Sequence, residues 1–450
     1  MKVHMIGLGG IGMSGLACVL LEQGVRVSGS DCDVGPALRK IRAAGAQVYS
    51  GHRASHVNRP DAVVYSSAIG PENLELIAAR NRGIPVLHRG QLLAGLAAGR
   101  RTIAVAGAHG KSTTSAMAAQ LLVTAGWDPL LVLGAEVESF GGSARMGGGE
   151  YAVLEADESD GSFLWLEPFI GIITNLDDEH LDYFRNRAEI EKAYATFAGR
   201  VDPRGALIGC ADNPSVRALL ARASRRKIGY GLSKQASLRA ADVRLEGNGS
   251  RYRCVRSGRT RGVIRLQVPG IHNVLNSLAV IAAAEALRLD FRVAQLALEE
   301  YRGAKRRFQV HGEERGVLVV EDYGHHPTEI RATLSTARGR KGRRVRCLFQ
   351  PHRYSRTRYL LEQFASCFSE ADEVVLLPIY AASEEPVAGA TEEALYRKIR
   401  AAGQTNVKQC KEPREALDYL RKSSRPGDLL LFLGAGSVGG LAQGFLRTLK

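Results

Sequence analysis

Short apolar runs alternate with longer amphipathic stretches along almost the whole chain, the rhythm of strands and helices in an α/β protein. In the first hundred residues Val3–Ile6, Arg26–Gly29, Ala62–Ser66 and Pro85–Leu87 read as strands, with Gly10–Glu22 as a helix between the first two. A second series starts at the run Thr102–Val105, passes into a helix over Ser115–Thr124, and continues through strands Leu130–Leu133, Tyr151–Leu154 and Ile170–Thr174. Over Asp242–Val268 the period falls to two. The runs Tyr252–Val255 and Val263–Val268, set off by Gly-Asn-Gly and Ser-Gly, predict antiparallel hairpins appended to a parallel sheet. Asn273–Arg288 is a strongly apolar helix, and a third series follows with strands Val317–Val320, Val345–Phe349, Glu373–Leu377 and Leu429–Leu433. Three α/β domains are expected, at 1–100, 101–303 and 304–450.

Composition narrows the class of molecule. At 45% apolar and 24% charged residues over 450 positions, the chain can build several large cores. No apolar stretch reaches the ~20 residues of a membrane helix, and Met1–Gly7 runs directly into a strand without a signal-peptide core. The seven cysteines are scattered and never spaced C-x-x-C, so a reduced, cytoplasmic chain without zinc or disulfides is expected. A net charge of +15 raises the question of nucleic acid. The basic residues are spread along the whole length, however, with no aromatic-interleaved stripe and no zinc-finger or RNA-binding signature. No nucleic-acid or membrane partner is expected, and a basic cleft for polyanionic small molecules suits the charge equally well.

Two glycine-rich turns carry the first chemistry. Gly7-Leu8-Gly9-Gly10-Ile11-Gly12 fits G-x-G-x-x-G between a strand and a helix, and Asp31 ends the next strand. This Rossmann-like signature encodes a turn that lets a diphosphate approach a helix N-terminus. The second turn, Ala106-Gly107-Ala108-His109-Gly110-Lys111-Ser112-Thr113-Thr114, joins a strand to a helix in the manner of a P-loop. Backbone N–H groups there would face phosphates, Lys111 would reach the β- and γ-phosphates, and the Ser112 hydroxyl would reach a metal. Val105 stands where the strict P-loop pattern has glycine. Two acidic clusters each follow an apolar strand: Glu155-Ala156-Asp157-Glu158-Ser159-Asp160 and Asn175-Leu176-Asp177-Asp178-Glu179-His180. Both should face the phosphate turn, two or three of these acids serving as ligands and most of the rest forming solvated loop. Asn273 and Asn276 open the apolar helix, where Asn273 could cap it or the two amides could read a base edge. Asp322-Tyr323-Gly324-His325-His326 and Gln350-Pro351-His352-Arg353-Tyr354-Ser355-Arg356 lie just past strands of the third series. Arg353 and Arg356, three apart, suit bidentate capture of a carboxylate or phosphate if a helix starts there.

Taken in order, AHGKSTT, EADESDGSF, NLDDEH, GIHNVLN, GAKRRF, DYGHHPTEI, FQPHRYSR and GAGSV resemble the Mur ligases, over all three expected domains. DYGHHPTEI and FQPHRYSR are specific to one branch of that family and its close relatives. The resemblance implies an ATP-dependent ligase joining L-alanine to the carboxylate of UDP-N-acetylmuramate through an acyl phosphate, in peptidoglycan precursor synthesis. It implies a first domain that takes the UDP-sugar at Gly9, Gly10, Gly12 and Asp31, with Ser66, Ser67 and Ala68 nearby. ATP would lie on Gly107, Ala108, His109, Gly110, Lys111, Ser112 and Thr113, with Asn273 and Asn276 at adenine and Asp322 at the ribose. Ser112 and Glu155 would hold one Mg²⁺ and His180 a second; Lys111, Glu155, His180, His325, Arg353 and Arg356 are the catalytic set. His325, Arg353 and Arg356, helped by Tyr323, would fix the alanine carboxylate as the third domain closes over the site. A monomer or weak homodimer is expected.

This sequence departs from the family at three places: Ala108 and Ser112 replace threonines, and Arg89-Gly90-Gln91 replaces Arg-Ala-Glu. Sibling ligases place a carbamylated lysine beside the metals, for which Lys192 is the nearest candidate here. Three rival readings are a recycling ligase that attaches an intact tripeptide, a nicotinamide-dependent dehydrogenase, and a catalytically silent binding protein that retains the fold, against which the intact Lys111, Glu155 and His180 argue. The motifs EADESDGSF and FQPHRYSR speak against the first, and the second leaves the phosphate turn and both acidic clusters unused.

Overall fold

The computed structural model describes residues 1–33, 35–180, 183–382 and 384–450. The chain divides into two compact units, one of Met1–Asp242, Tyr252–Ile264 and Leu275–Tyr301, the other of Val243–Arg251, Arg265–Val274 and Arg302–Lys450. Among the described residues no helix is long and apolar enough to cross a membrane.

The first unit opens with a parallel sheet of β1 (Lys2–Ile6), β2 (Arg26–Asp31), β3 (Gln47–Ser50), β4 (Ala62–Tyr65) and β5 (Val86–His88), in the order β3-β2-β1-β4-β5. Because β2 and β4 flank β1 on opposite sides, the chain reverses direction across the sheet there. The crevice at the carboxyl ends of β1 and β4 is where such sheets bind ligands. Gly7–Gly12 and Ser66–Ala68 lie at that point.

The second sheet contains β6 (Arg101–Ala106), β7 (Leu130–Val137), β8 (Gly142–Arg145), β9 (Tyr151–Glu155), β10 (Ile170–Ile173), β11 (Ala206–Cys210), β12 (Lys227–Gly231), β13 (Leu238–Glu246), β14 (Gly249–Arg256) and β15 (Arg259–Leu266). Their order is β15-β14-β13-β12-β11-β10-β6-β9-β7-β8. Residues 102–106 of β6 are all buried, as a strand covered on both faces must be. The expected hairpins are β13 to β15, joined by two-residue turns. Ser257 and Gly258 both have positive φ, 47° and 83°, the geometry whose twist matches a tight hairpin. One apolar core joins side chains around the first sheet, such as Val3, Leu16 and Val27, with others around the second, such as Ala104, Leu130 and Phe197.

In the second unit β16 (Gln309–Glu314), β17 (Val317–Asp322), β18 (Arg344–Phe349), β19 (Glu373–Leu376), β20 (Val407–Gln409) and β21 (Asp428–Leu433) form a sheet ordered β16-β17-β21-β18-β19-β20. Only β16 runs antiparallel to its neighbour among the pairings described. Asp322 and Phe349 both pair with Leu433, so the loops after β17, β18 and β21 emerge together at one edge.

A polar cluster gathers around a buried carboxylate beside the first sheet. Glu75, fully buried, accepts from His52 Nδ1 at 3.0 Å and His56 Nδ1 at 2.9 Å, and from Ser30 Oγ, with His4 Nε2 at 3.5 Å. Burial alone would raise this carboxyl, but the bonds from His4, Ser30 and His52 outweigh it and bring the pKa to about 2. A depressed carboxylate stabilises the fold above its ordinary pKa of 4.5 and loses that contribution as pH falls toward 2. Glu75→Gln should therefore flatten the stability profile between those values. Urea melts of both proteins from pH 3 to 7 test this, and parallel profiles would refute it.

Candidate active site around the phosphate turn

The helix after β6 begins at Lys111, four residues earlier than the sequence pattern indicates, and runs to Thr124. Gly110 caps it with φ 81°, and Gly107 turns the chain with φ 134°. An added Cβ at Gly107 would lie 2.0 Å from Thr174 Oγ1, and one at Gly110 2.6 Å from Asn276 Oδ1. Both glycines are therefore required by space and by backbone conformation. Starting at Lys111 brings the unsatisfied N–H groups of the first turn and the positive end of the helix dipole directly onto the turn.

Strands β9 and β10 flank β6, with Val105 paired to Glu155 and Ala106 to Ile173. This adjacency places both acidic clusters beside the turn. Ser112 Oγ donates to Glu155 Oε1 at 3.2 Å, while Gly134 N holds Glu155 Oε2 at 2.9 Å. Lys111 Nζ donates to Gly107 O and to Glu158 Oε1, each at 2.7 Å. Burial disfavours the ammonium, but Glu158, Asp157 and Glu155 outweigh that and raise Lys111 well above an ordinary lysine. His180, with φ 55°, brings Nε2 to 3.4 Å from Glu158 Oε1. Burial would lower this imidazole, and the Glu158 hydrogen bond and charge raise it instead. A hydroxyl, two carboxylates and an imidazole thus converge at one helix N-terminus. Glu158 Oε2, buried, accepts no hydrogen bond among the described residues. A donor set rich in carboxylate oxygen with an unused buried lone pair fits a divalent cation.

The expectation of a largely solvated acidic loop is corrected here. Arg89 Nη2 binds Asp157 at 2.8 Å and Asp160 at 2.6 Å, and Arg89 Nε donates to Ser67 Oγ at 3.0 Å. Asp160 also accepts from Ser67 Oγ. The unexpected Gly90 has a steric cause, since an added Cβ would lie 2.5 Å from the Trp165 ring. Gln91 closes a capping box by accepting from His88 N at 2.8 Å. Sequence reasoning also passed over Thr174 and Asn175. Thr174 Oγ1 donates to His109 O at 2.6 Å, and Asn175 grips both the N and the O of His109, at 2.9 and 3.0 Å. Their signal was a Thr-Asn pair directly beyond a buried strand. His109 Nε2 in turn meets Asp177 Oδ2 at 3.0 Å. Ala108 meets Asn175 through its backbone, its N donating to Asn175 O at 3.3 Å. Thr113 is buried in the first turn of the helix. Lys192 is exposed on the helix Arg187–Gly199.

At the switch point of the first sheet, Asp31 accepts from Gly9 N at 2.8 Å and from Asp33 N at 3.0 Å, so it shapes the glycine turn. An added Cβ at Gly12 would come within 3.4 Å of Arg89 Nη1. Gly10 caps the helix Ile11–Glu22, and Ser66 Oγ accepts from Ala68 N at 3.4 Å.

In the second unit Asn273 lies inside the helix Ile271–Ala286 and donates from Nδ2 to Pro269 O at 2.7 Å. Asp322 is buried, accepting from Phe308 N, Gly324 N and Thr333 Oγ1 at 2.7, 2.8 and 3.1 Å. The rings of Tyr323, His325, His352 and Tyr380 form a continuous series, with centroids 5.3, 5.8 and 5.6 Å apart. Arg353 precedes the helix Tyr354–Tyr359 rather than lying on it, in a left-handed conformation with φ 71°. It reaches Glu384 at 3.9 Å, whereas Arg356 Nη1 meets His352 Nδ1 at 3.2 Å. Burial, and then the charges of His325, Arg356, Arg353 and Arg306, bring His352 down to about 3. That imidazole is neutral at physiological pH, and the cationic field around it suits an anion.

Three family models cover the chain in order: the Mur ligase family catalytic domain at residues 2–101, the Mur ligase middle domain at 105–284 and the Mur ligase glutamate ligase domain at 306–436. The chain belongs to the Mur ligase family. It is 46% identical to a UDP-N-acetylmuramate–L-alanine ligase of Anaeromyxobacter sp. (strain Fw109-5), over 97% of this chain and 95% of that one. It is 45% identical to the ligase of the same name from Syntrophobacter fumaroxidans, over 100% and 96%. Among solved structures, the UDP-N-acetylmuramate–alanine ligase of Thermotoga maritima superposes with a TM-score of 0.85 at 28% identity, covering 100% of this chain and 99% of that one. A murein peptide ligase of Psychrobacter arcticus shares the fold, with a TM-score of 0.74 at 24% identity over 100% and 98% of the two chains.

Proposed function

We infer that this Mur ligase joins L-alanine to the carboxylate of UDP-N-acetylmuramate with consumption of ATP, in peptidoglycan precursor synthesis. The observation that carries this reading is the convergence of Lys111, Ser112, Glu155, Glu158 and His180 on one phosphate turn, in a chain aligned end to end with alanine-adding relatives. The work divides among residues 1–100 for the UDP-sugar, 101–303 for ATP and 304–450 for the amino acid. It is done by a cytoplasmic monomer or weak homodimer acting on small molecules.

A carboxylate resists attack by an amine because oxide would have to leave. Transfer of the γ-phosphoryl group to the muramyl carboxylate supplies phosphate as the leaving group instead. Lys111 and the helix N-terminus offset the charge that spreads over the transferred group. Ser112, Glu155 and His180 would hold Mg²⁺, which when bound neutralises phosphate charge and fixes the phosphates in line. In the second unit His325, Arg353 and Arg356, with Tyr323, would hold the alanine carboxylate and leave its neutral amine free to attack. Asn273 and Asn276 would meet adenine and Asp322 the ribose; Gly9, Gly10, Gly12, Asp31 and Ser66–Ala68 would take the UDP-sugar.

Phosphate release from purified protein with ATP, Mg²⁺ and UDP-N-acetylmuramate tests this. We expect release to require both the sugar nucleotide and alanine. Release independent of the sugar nucleotide would refute a ligase, and a response to tripeptide alone would reassign the chain to recycling.

A further inference from the structure

Tyr194, on the helix Arg187–Gly199, is 1% exposed, and its ring is locked 5.3 Å from that of Phe163. No described group hydrogen-bonds its hydroxyl, and the Gly107 amide faces the oxygen without closing a bond. Burial and then the charges of Glu158, Asp157 and Glu179 push the phenol well above an ordinary tyrosine, so it keeps its proton and can donate it in a hydrogen bond. Glu158 Oε2 is likewise buried with no hydrogen bond among the described residues. Phe163, against which the Tyr194 ring packs, donates its N to Asp157 O at 3.1 Å, so a donor and an acceptor, both unsatisfied, lie close to the same acidic motif. Orphaned buried polar atoms are rare enough in folded proteins that each calls for a use.

Lys111 holds the other oxygen of this carboxylate, Glu158 Oε1, at 2.7 Å. If the turn binds a nucleoside triphosphate, as the proposed function requires, Lys111 is the cation that must leave Glu158 for the phosphates. The carboxylate, with its side chain 3% exposed, would then be stranded beside His180. We propose that Tyr194 is a positioning residue for Glu158: when Lys111 turns to the nucleotide, the phenol donates to Glu158 Oε2, and Glu158 Oε1 with His180 takes a divalent cation. A neutral donor suits this role. A lysine or arginine in its place would cancel the carboxylate's charge and repel the incoming cation, whereas a hydroxyl orients the group and leaves its charge intact.

The test is Tyr194→Phe, which removes one oxygen and keeps the packing. Mn²⁺ is titrated by EPR in the presence of a non-hydrolysable ATP analogue, and the thermal midpoint is measured without ligand. We expect the weaker Mn²⁺ step to shift about tenfold to higher concentration, with the midpoint equal to or above wild type because an unsatisfied donor is gone. Glu158→Gln should impair the same step, and the double variant should be no worse than Glu158→Gln alone. An unchanged Mn²⁺ titration, with or without a lowered midpoint, overturns the proposal. So do additive effects in the double variant, since Tyr194 would then not act through Glu158. Wild type that binds neither the analogue nor Mn²⁺ overturns the nucleotide reading itself, and the role of Tyr194 with it.

Discussion

Lys111→Ala should lower the rate of sugar-dependent phosphate release by about 10³-fold while UDP-N-acetylmuramate binds almost as before, because one charge facing the transferred group is removed. The substitution acts on stability as well. It leaves Glu158, whose side chain is 3% exposed, without the cation that holds its Oε1. Breaking a buried ion pair from one side destabilises by about 3 kcal/mol. Lys111→Ala combined with Glu158→Gln should recover most of that loss and none of the turnover, which separates folding from chemistry. Because Lys111 is raised above its ordinary value of 10.5, the alkaline limb of the pair's contribution is lost only as pH climbs beyond that value. The deficit of Lys111→Ala should therefore be the same from pH 6 to 9, measured by calorimetry and by a phosphate-release assay. Turnover within tenfold of wild type would mean that Lys111 does not face the transferred group. Loss of UDP-sugar binding would mean the two nucleotide sites have been misassigned.

Arg89→Met should produce the second large effect, through substrate binding and stability together. Arg89 ties Ser67 and the Gly12 turn of the first sheet to Asp157 and Asp160 of the acidic motif. Removing it leaves two carboxylates facing each other, at about 2–3 kcal/mol of stability, because Asp160 is well covered and Asp157 less so. Arg89→Lys should recover under half of this, since an ammonium cannot fork between two carboxylates and a hydroxyl. In wild type, burial would raise Asp157 and Asp160, but Arg89 chiefly brings both below the ordinary value of 3.8. Their contribution is present above that pH and is lost below it. Arg89→Met should move the acid limb of unfolding to higher pH, and raise KM for the UDP-sugar about tenfold with a smaller change in kcat. An unmoved acid limb would mean that Arg89 does not carry the carboxylates. An unchanged KM would place the sugar nucleotide away from Ser67 and Gly12.

Most strands could be read from the chain because a buried parallel strand is a run of apolar residues: Val3–Ile6, Ile170–Ile173 and Leu429–Leu433 declare themselves. Strands such as Gln47–Ser50 and Val407–Gln409, short and at sheet edges, lack that signature and were missed. The phosphate turn was equally plain, because glycines of positive φ, a lysine and a hydroxyl at fixed spacing are a local requirement of anion binding. So was the family, whose motifs lie in unbroken order. Only the tertiary structure could show which acid takes which partner. That Glu155 takes Ser112, Glu158 takes Lys111 and Asp157 takes Arg89 follows from β9 lying beside β6 and from the first sheet supplying Arg89. The same holds for Tyr194, whose hydroxyl is unremarkable in a helical pattern and acquires meaning only beneath Gly107. Motifs are set by short-range geometry and so can be read along the chain. Charge partners and orphaned polar atoms depend on residues distant in sequence that meet only when the sheets assemble.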